Sequence, residues 1–176
     1  AGSIGSELVR QILPFKPALL VMVDVAESPL WELELEVRDN PDFRNQSIEV
    51  VIGDIRNQER MRNVFRTFHP EVVFHAAAYK HVPMMELNPS ESILNNVCGT
   101  KIIADLALEY NTPRFVMIST DKAVNPTNIM GATKRIAEIY TQSLNSLHKT
   151  KFITTRFGNV LGSNGSVIPR FRKQIE

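Results

Sequence analysis

The sequence predicts an α/β fold with a mostly parallel, doubly wound sheet, and three observations carry the prediction. Five apolar runs, at 18–23, 48–52, 71–75, 114–118 and 152–155, have the length of strands. The segments between them keep helical spacing, so strand and helix alternate in the manner of right-handed βαβ units. The runs are continuous rather than alternating, as strands covered on both faces require, and several end in a polar or charged residue.

In chain order, a glycine turn at Ala1-Gly2-Ser3-Ile4-Gly5 opens a helix whose Ile4, Leu8 and Ile12 share a face up to Pro14. The run 18–23 ends in Asp24. Ser28-Pro29 supplies an N-cap and a first-turn proline for a helix striped by Leu30, Leu33 and Val37. The strand 48–52 ends Gly53-Asp54. Asn57 caps a helix with Met61, Val64, Phe65 and Phe68 on one side. The strand ending at His75 leads into Ala76-Ala77-Ala78 and an irregular segment carrying Lys80 and His81. A long helix from about Ser90 to Tyr110 presents Ile93, Val97, Ile102, Ile103 and Leu106. The strand 114–118 runs into Ser119-Thr120-Asp121-Lys122, and the next helix, to about Leu147, carries Met130 and Lys134 on one face. The last strand ends Arg156-Phe157-Gly158-Asn159. Gly162, Asn164 and Gly165 mark a loop, and 169–176 begins a further helix.

Composition narrows the function. Lys and Arg number 20 against 19 Asp and Glu, a net charge of +1 that gives no basis for binding nucleic acid or an anionic membrane. One cysteine, Cys98, excludes an internal disulfide framework and fits a reducing, cytoplasmic compartment; in a helix it reads as a small packing residue. No apolar run approaches the roughly 20 residues that span a bilayer, and the N-terminus lacks a basic-then-apolar signal pattern. No metal is expected.

The glycine turn is weak evidence alone. Gly2 and Gly5 bring backbone N–H groups and a helix N-terminus to where a diphosphate would bind. Asp24 ends the following strand 24 − 5 = 19 residues after Gly5, the position of an acid that accepts from the adenosine ribose and disfavours a 2′-phosphate. Asp54, with Ile55, then falls beside the adenine, and Ala76, Ala77 and Ala78 let a flat cofactor lie close to the backbone. Together these predict NAD bound by a Rossmann-type sheet over 1–176, with Gly2, Ser3, Ile4 and Gly5 at the phosphates. The strand that should precede the turn is not in the sequence, so the chain reads as a cut-out of a larger catalytic domain. That strand would lie at the centre of such a sheet.

Gly2-Ser3-Ile4-Gly5-Ser6-Glu7-Leu8, His75-Ala76-Ala77-Ala78-Tyr79-Lys80-His81-Val82-Pro83, Asn96-Val97-x-Gly99-Thr100, Ser119-Thr120-Asp121-Lys122-Ala123 and Arg156-Phe157-Gly158-Asn159-Val160-Leu161-Gly162-Ser163 together resemble the extended short-chain dehydrogenase/reductase family. Within it they resemble the CapD-type nucleotide-sugar 4,6-dehydratases of polysaccharide biosynthesis. The tyrosine of the family's Tyr-x-x-x-Lys pair is Met130 here. A thioether transfers no proton, and this replacement is similar to the large, membrane-anchored branch of the group. The resemblance implies oxidation at C4 of a UDP-N-acetylglucosamine-type sugar, elimination of water across C5–C6 and hydride return. It implies Asp121 as acid, Lys122 as base, Lys134 at the nicotinamide ribose, Thr120 or a water at O4, and Asn96 supporting the site. Lys80, His81 and Asn159 would meet substrate. Desolvation is expected to raise the Asp121 carboxyl and lower the Lys122 ammonium, although an ion pair between them opposes both shifts. A homo-oligomer is implied, with membrane attachment only through segments upstream of this chain. Two other readings stay open: a nucleotide-sugar epimerase of the same family, and a non-catalytic NAD-binding module for which Met130 is the best support.

Overall fold

The computed structural model describes residues 1–160, which fall into two compact units, 1–53 with 159–160, and 54–158. The loop expected at Gly162, Asn164 and Gly165 and the helix expected at 169–176 lie outside the described residues, as do Leu161, Gly162 and Ser163 of the last motif.

In the first unit, α1 (Ser3–Ile12) runs through a 3-10 turn (Leu13–Phe15) towards β1 (Leu20–Asp24), followed by α2 (Glu27–Asp39) and β2 (Ile48–Ile52). β1 and β2 pair in parallel from Leu20 opposite Ile48 to Asp24 opposite Ile52. Val9, Leu13, Met22, Leu30, Leu33, Val37 and Ile48 form the core. The stripe of α2 is as the sequence predicts, but that of α1 is rotated by one residue. Val9 and Leu13 are buried, while Ile4, Leu8 and Ile12 are half-buried. α2 starts at Glu27, before the expected Ser28 cap. The Asp24 carboxylate accepts the Ala26 N–H at 2.9 Å and turns the chain early, and Pro29 falls in the first turn, where a missing N–H costs nothing. β1 buries only Met22. It pairs with β2 alone among the described residues.

In the second unit, α3 (Gln58–Phe68) is capped by Asn57, whose side chain accepts the Arg60 N–H at 3.0 Å. β3 (Val72–His75), α4 (Val82–Leu87) and α5 (Pro89–Ser92) follow. α5 passes without a break through a π-helical stretch (Ile93–Gly99) into α6 (Thr100–Glu109). β4 (Arg114–Thr120), a 3-10 turn (Asp121–Ala123), α7 (Ile129–Ser143), a second 3-10 turn (Leu144–Leu147) and β5 (Lys151–Phe157) complete it. The sheet order is β3-β4-β5, all parallel, with the fully buried Phe115 and Met117 on central β4. Parallel pairs in the orders β1-β2 and β3-β4-β5 are strand runs of the kind a Rossmann-type doubly wound fold contains. β4 and β5 outrun β3 by three residues, so Thr120 ends opposite Phe157 and beyond His75.

The long helix departs from the expected stripe. The π-helical stretch leaves Ile93 and Leu94 exposed and turns Asn95, Asn96 and Gly99 inward. Gly99 has a steric reason: a Cβ there would lie 2.5 Å from Ile55 Cδ1. No helix among the described residues is long and apolar enough to cross a membrane.

Adjacent residues of α2 test the first core. Leu30 is 1% exposed and Trp31 57%. Leu30→Ala is expected to lower stability by about 2–5 kcal/mol, and Trp31→Ala by about 0.5 kcal/mol or less, read as shifts of the urea midpoint.

Candidate active site

The end of β4 carries three hydrogen-bonded polar groups. The Thr120 hydroxyl donates to Asp121 Oδ1 at 2.9 Å, and Lys122 Nζ donates to the same oxygen at 3.2 Å. The Lys122 N–H reaches Thr120 Oγ1 at 3.3 Å, which starts the 3-10 turn. On the other side of the carboxylate lies Gly158, just past β5, where a Cβ would sit 3.6 Å from Asp121 Oδ2. The Asp121 side chain is 57% exposed. Its carboxyl is held below the usual range, first by the Thr120 hydroxyl and then by the Lys122 ammonium. The expected upward shift is therefore absent: an accessible carboxylate with two donors gains more from them than it loses by desolvation.

α7 closes against this strand end. The Asn128 side chain accepts the Gly131 N–H at 2.8 Å, and Glu86 Oε1, just inside the end of α4, accepts the Ile129 N–H at 2.7 Å. Gly131 is sterically required, since a Cβ there would lie 2.2 Å from the Lys122 carbonyl oxygen. Met130 and Lys134 are both buried, as their spacing predicts. Lys134 is 4% exposed and its Nζ donates to the Ile118 carbonyl at 2.7 Å. Burial pulls this ammonium down to about 8, against the opposing charge of Glu138.

A buried polar network lies behind the site. Asn96 pairs with both backbone groups of Tyr79: its Oδ1 accepts the N–H at 2.8 Å and its Nδ2 donates to the carbonyl at 3.0 Å. A side-chain amide thus takes the place of a strand partner and fixes the segment after Ala76-Ala77-Ala78. The same Nδ2 lies 3.2 Å from Thr133 Oγ1, which donates to the Met130 carbonyl and approaches the Ser92 hydroxyl at 3.1 Å. Thr100 donates its hydroxyl to the Asn96 carbonyl at 2.7 Å and therefore accepts from His75 Nε2 at 2.8 Å, so the imidazole is the Nε2–H tautomer. Burial and then the nearby Lys134 charge push His75 down to about 3.

The other candidate residues have simpler surroundings. Gly2 and Gly5 face open space, and α1 starts without a capping side chain or an acidic residue in its first turn. Asp24 ends β1, with its Oδ2 against the Ala1 amino group. Asp54 follows β2 and is held by Arg56, Nε to Oδ1 and Nη2 to Oδ2, which keeps its carboxyl below the usual range. Lys80, His81 and Asn159 are exposed, His81 as the N-cap residue of α4. The second unit thus groups Thr120, Asp121 and Lys122 at the end of β4 and places Lys134 and Asn96 on the helices packed about it. Ser92, Thr133 and Glu138 are the functional groups the sequence reading passed over. Each sits one helical turn from a residue it did single out, which was the available signal.

The whole chain, residues 1–176, matches the family described as polysaccharide biosynthesis protein. It is 51% identical to the capsular polysaccharide biosynthesis protein CapD of Staphylococcus aureus, over 99% of this chain and 29% of that protein. It is 35% identical to the UDP-N-acetylglucosamine 4,6-dehydratase (inverting) of Campylobacter jejuni and 40% identical to the UDP-glucose 4-epimerase of Rickettsia bellii, in both cases over 99% of this chain and 51% of the relative. Among solved structures, Pen from Bacillus thuringiensis superposes with a TM-score of 0.91 at 38% identity, over 99% of this chain and 54% of that one. The chain therefore spans about half or less of the length of these relatives.

Two measurements check this geometry. Gly→Ala within a helix ordinarily stabilises by about 1 kcal/mol; at Gly131 the Lys122 carbonyl reverses the sign, with an expected loss of about 1–3 kcal/mol and displaced amide resonances at 121–124. ¹⁵N shifts of His75 are expected to report neutral Nε2–H throughout pH 5–8. An unfolded imidazole titrates near 6.5, so below that pH the unfolded state binds a proton the native state refuses, and stability falls as pH drops from 6.5 towards 3.

Proposed function

Because the chain belongs to the polysaccharide biosynthesis protein family, whose members here include nucleotide-sugar dehydratases and epimerases, we propose that it is the NAD-binding part of a nucleotide-sugar 4,6-dehydratase acting on a UDP-N-acetylglucosamine-type sugar. The observation that carries this reading is the Thr120–Asp121–Lys122 hydrogen-bonded chain at the end of β4, next to a buried lysine where the family's pair has its lysine. An epimerase inverting C4 has no use for an acid and an amine side by side; elimination across C5–C6 needs both.

The residues present fit NAD. The uncapped start of α1 beneath open glycines suits a diphosphate, and Asp24 at a strand end suits a ribose without a 2′-phosphate. In the first unit Gly2, Ser3, Ile4, Gly5 and Asp24 would hold it. In the second, Asp54 and Ile55 would meet the adenine, Ala76, Ala77 and Ala78 the plane of the cofactor, and Asn96 and Lys134 its nicotinamide end. Lys80, His81 and Asn159 are assigned to substrate. When bound, NAD supplies the acceptor that takes hydride from C4 and returns it to C6.

The protein's own groups move the protons. As C4 is oxidised, the O4 proton passes to Thr120 Oγ1 while the Thr120 hydroxyl proton passes to Asp121 Oδ1, along the bond already formed between them. A carboxylate ionised at rest is the acceptor this transfer needs. The proton reaching Asp121 removes the counter-charge that Lys122 pairs with; the Lys122 ammonium then releases a proton to solvent, and the resulting amine takes the C5 proton. Asp121 then gives its proton to O6 as water leaves, and Lys122 returns its proton to C5. The O4 proton thus departs in the water, Lys122 takes back a proton from solvent beside the re-ionised Asp121, and the resting pair is restored without a tyrosine. Buried Met130 takes no part.

Incubating the full-length protein with UDP-N-acetylglucosamine and NAD is expected to yield a product lighter by one water; unchanged mass with an altered C4 configuration would establish epimerisation instead. Asp121→Asn and Lys122→Ala are expected to lose dehydration by at least about 100-fold while retaining NAD. They are expected to stop at different stages. Asp121→Asn accumulates no reduced cofactor, whereas Lys122→Ala accumulates it together with 4-keto sugar that retains O6. Reduced cofactor building up in Asp121→Asn would exclude the proton path through Thr120.

A further inference from the structure

Glu138 has no role in the chemistry above, yet it is the most deeply buried acid among the described residues, at 0% exposure. It stands one turn beyond Lys134 on the inward face of α7, which also carries Met130, Ala137 and Thr141. Arg156 of β5 grips it with two hydrogen bonds, Nε to Oε1 at 2.8 Å and Nη2 to Oε2 at 2.5 Å, and Arg135 adds a third at 3.2 Å. Arg156 lies opposite Ser119 in the β4–β5 register and two residues before Gly158, which abuts Asp121. A carboxylate is not required merely to tie a helix to a strand. Apolar residues of similar volume do that as well or better, because they avoid desolvating a charge. What a carboxylate adds here is negative charge beside Lys134.

We propose that Glu138 is a positioning residue for this site: it anchors Arg156 beneath the Asp121 turn and provides the buried counter-charge for the Lys134 ammonium. The proposal rests on the placement of Lys134 at the cofactor given above. Two guanidiniums on one carboxylate sum to +1, but the side chains of Arg135 and Arg156 are 41% and 36% exposed. Solvent screens them, whereas Glu138 and Lys134 are both out of water and feel each other through a less polarisable medium. Other acids, and the histidine, on elements packed about α7 are committed elsewhere. Glu86 accepts the Ile129 N–H, Glu91 pairs with Arg56, Asp105 holds Lys101 and Tyr140, Asp121 pairs with Lys122, and His75 is neutral. Glu138 is also the group that opposes the effect of burial on Lys134. Without that charge the lysine would spend more of its time as a neutral amine, a poor partner for ribose hydroxyls that must be held as acceptors.

The test is an NMR titration of the Lys134 side chain in the full-length protein, with ¹³Cε-labelled lysine and assignment by Lys134→Arg. Glu138→Gln is expected to move the midpoint down by about one pH unit, and Glu138→Asp to bring it back. Arg156→Met, which releases the carboxylate from its strongest partner, is expected to move the midpoint up. A purely structural role predicts lower thermal stability in all three with no ordered movement of the midpoint, and that result would overturn the proposal. Should Glu138→Gln fail to fold, the absence of an upward shift in Arg156→Met overturns it alone. The titration reads no turnover, so a wild-type protein that fails to dehydrate the sugar would sink the functional reading while leaving this result standing.

Discussion

The close approach of α7 to the end of β4 is the constraint on which the rest depends. Two backbone carbonyls make it. The Ile118 oxygen receives the Lys134 ammonium, and the Lys122 oxygen sits where a side chain at position 131 would have to be. One contact is a charge-assisted hydrogen bond that stabilises an otherwise costly buried cation. The other is a steric fit that only glycine allows. Together they pin the helix at two points three residues apart and set where the Asp121–Lys122 turn can lie.

Burial separates two lysines that composition treats alike. Lys134 lies out of water with a backbone acceptor and is pulled down to about 8. Lys122 stays partly exposed and paired with Asp121. The pair is in its resting form, because an accessible carboxylate with two donors has no reason to hold a proton. In the proposed reaction both groups would have to be discharged before they act, and the hydroxyl already bonded to the carboxylate would carry a proton to it.

Behind the site, the long helix gives up regularity to place polar groups. A regular α-helix would have carried Ile93 inward. The π-helical stretch brings in Asn95 and Asn96, and Asn96 then satisfies both backbone groups of Tyr79, which has no strand neighbour among the described residues. The cost is an exposed Ile93 and Leu94. An amide with two donors and an acceptor fulfils this role where an apolar residue would leave two peptide groups unpaired.

The alternation of strand and helix, the parallel pairing, the stripe of α2, the Asn57 cap and the inward pairing of Met130 with Lys134 were all legible in the sequence. Each follows from local periodicity or capping chemistry, which depends on neighbours within a few residues. The polar group after β4 was legible too, because ligand-facing residues follow strand ends in α/β sheets. Tertiary structure decided the rest: the rotation of α1 by one residue, the π-helical slip, the exposure that keeps Asp121 ionised, and Glu138 held by Arg156 from 18 residues away. Periodicity shows that a helix has an inner face. Which residue lies at its centre, and what charge that residue meets there, depends on the shape and electrostatics of the partner surface, which no local pattern encodes.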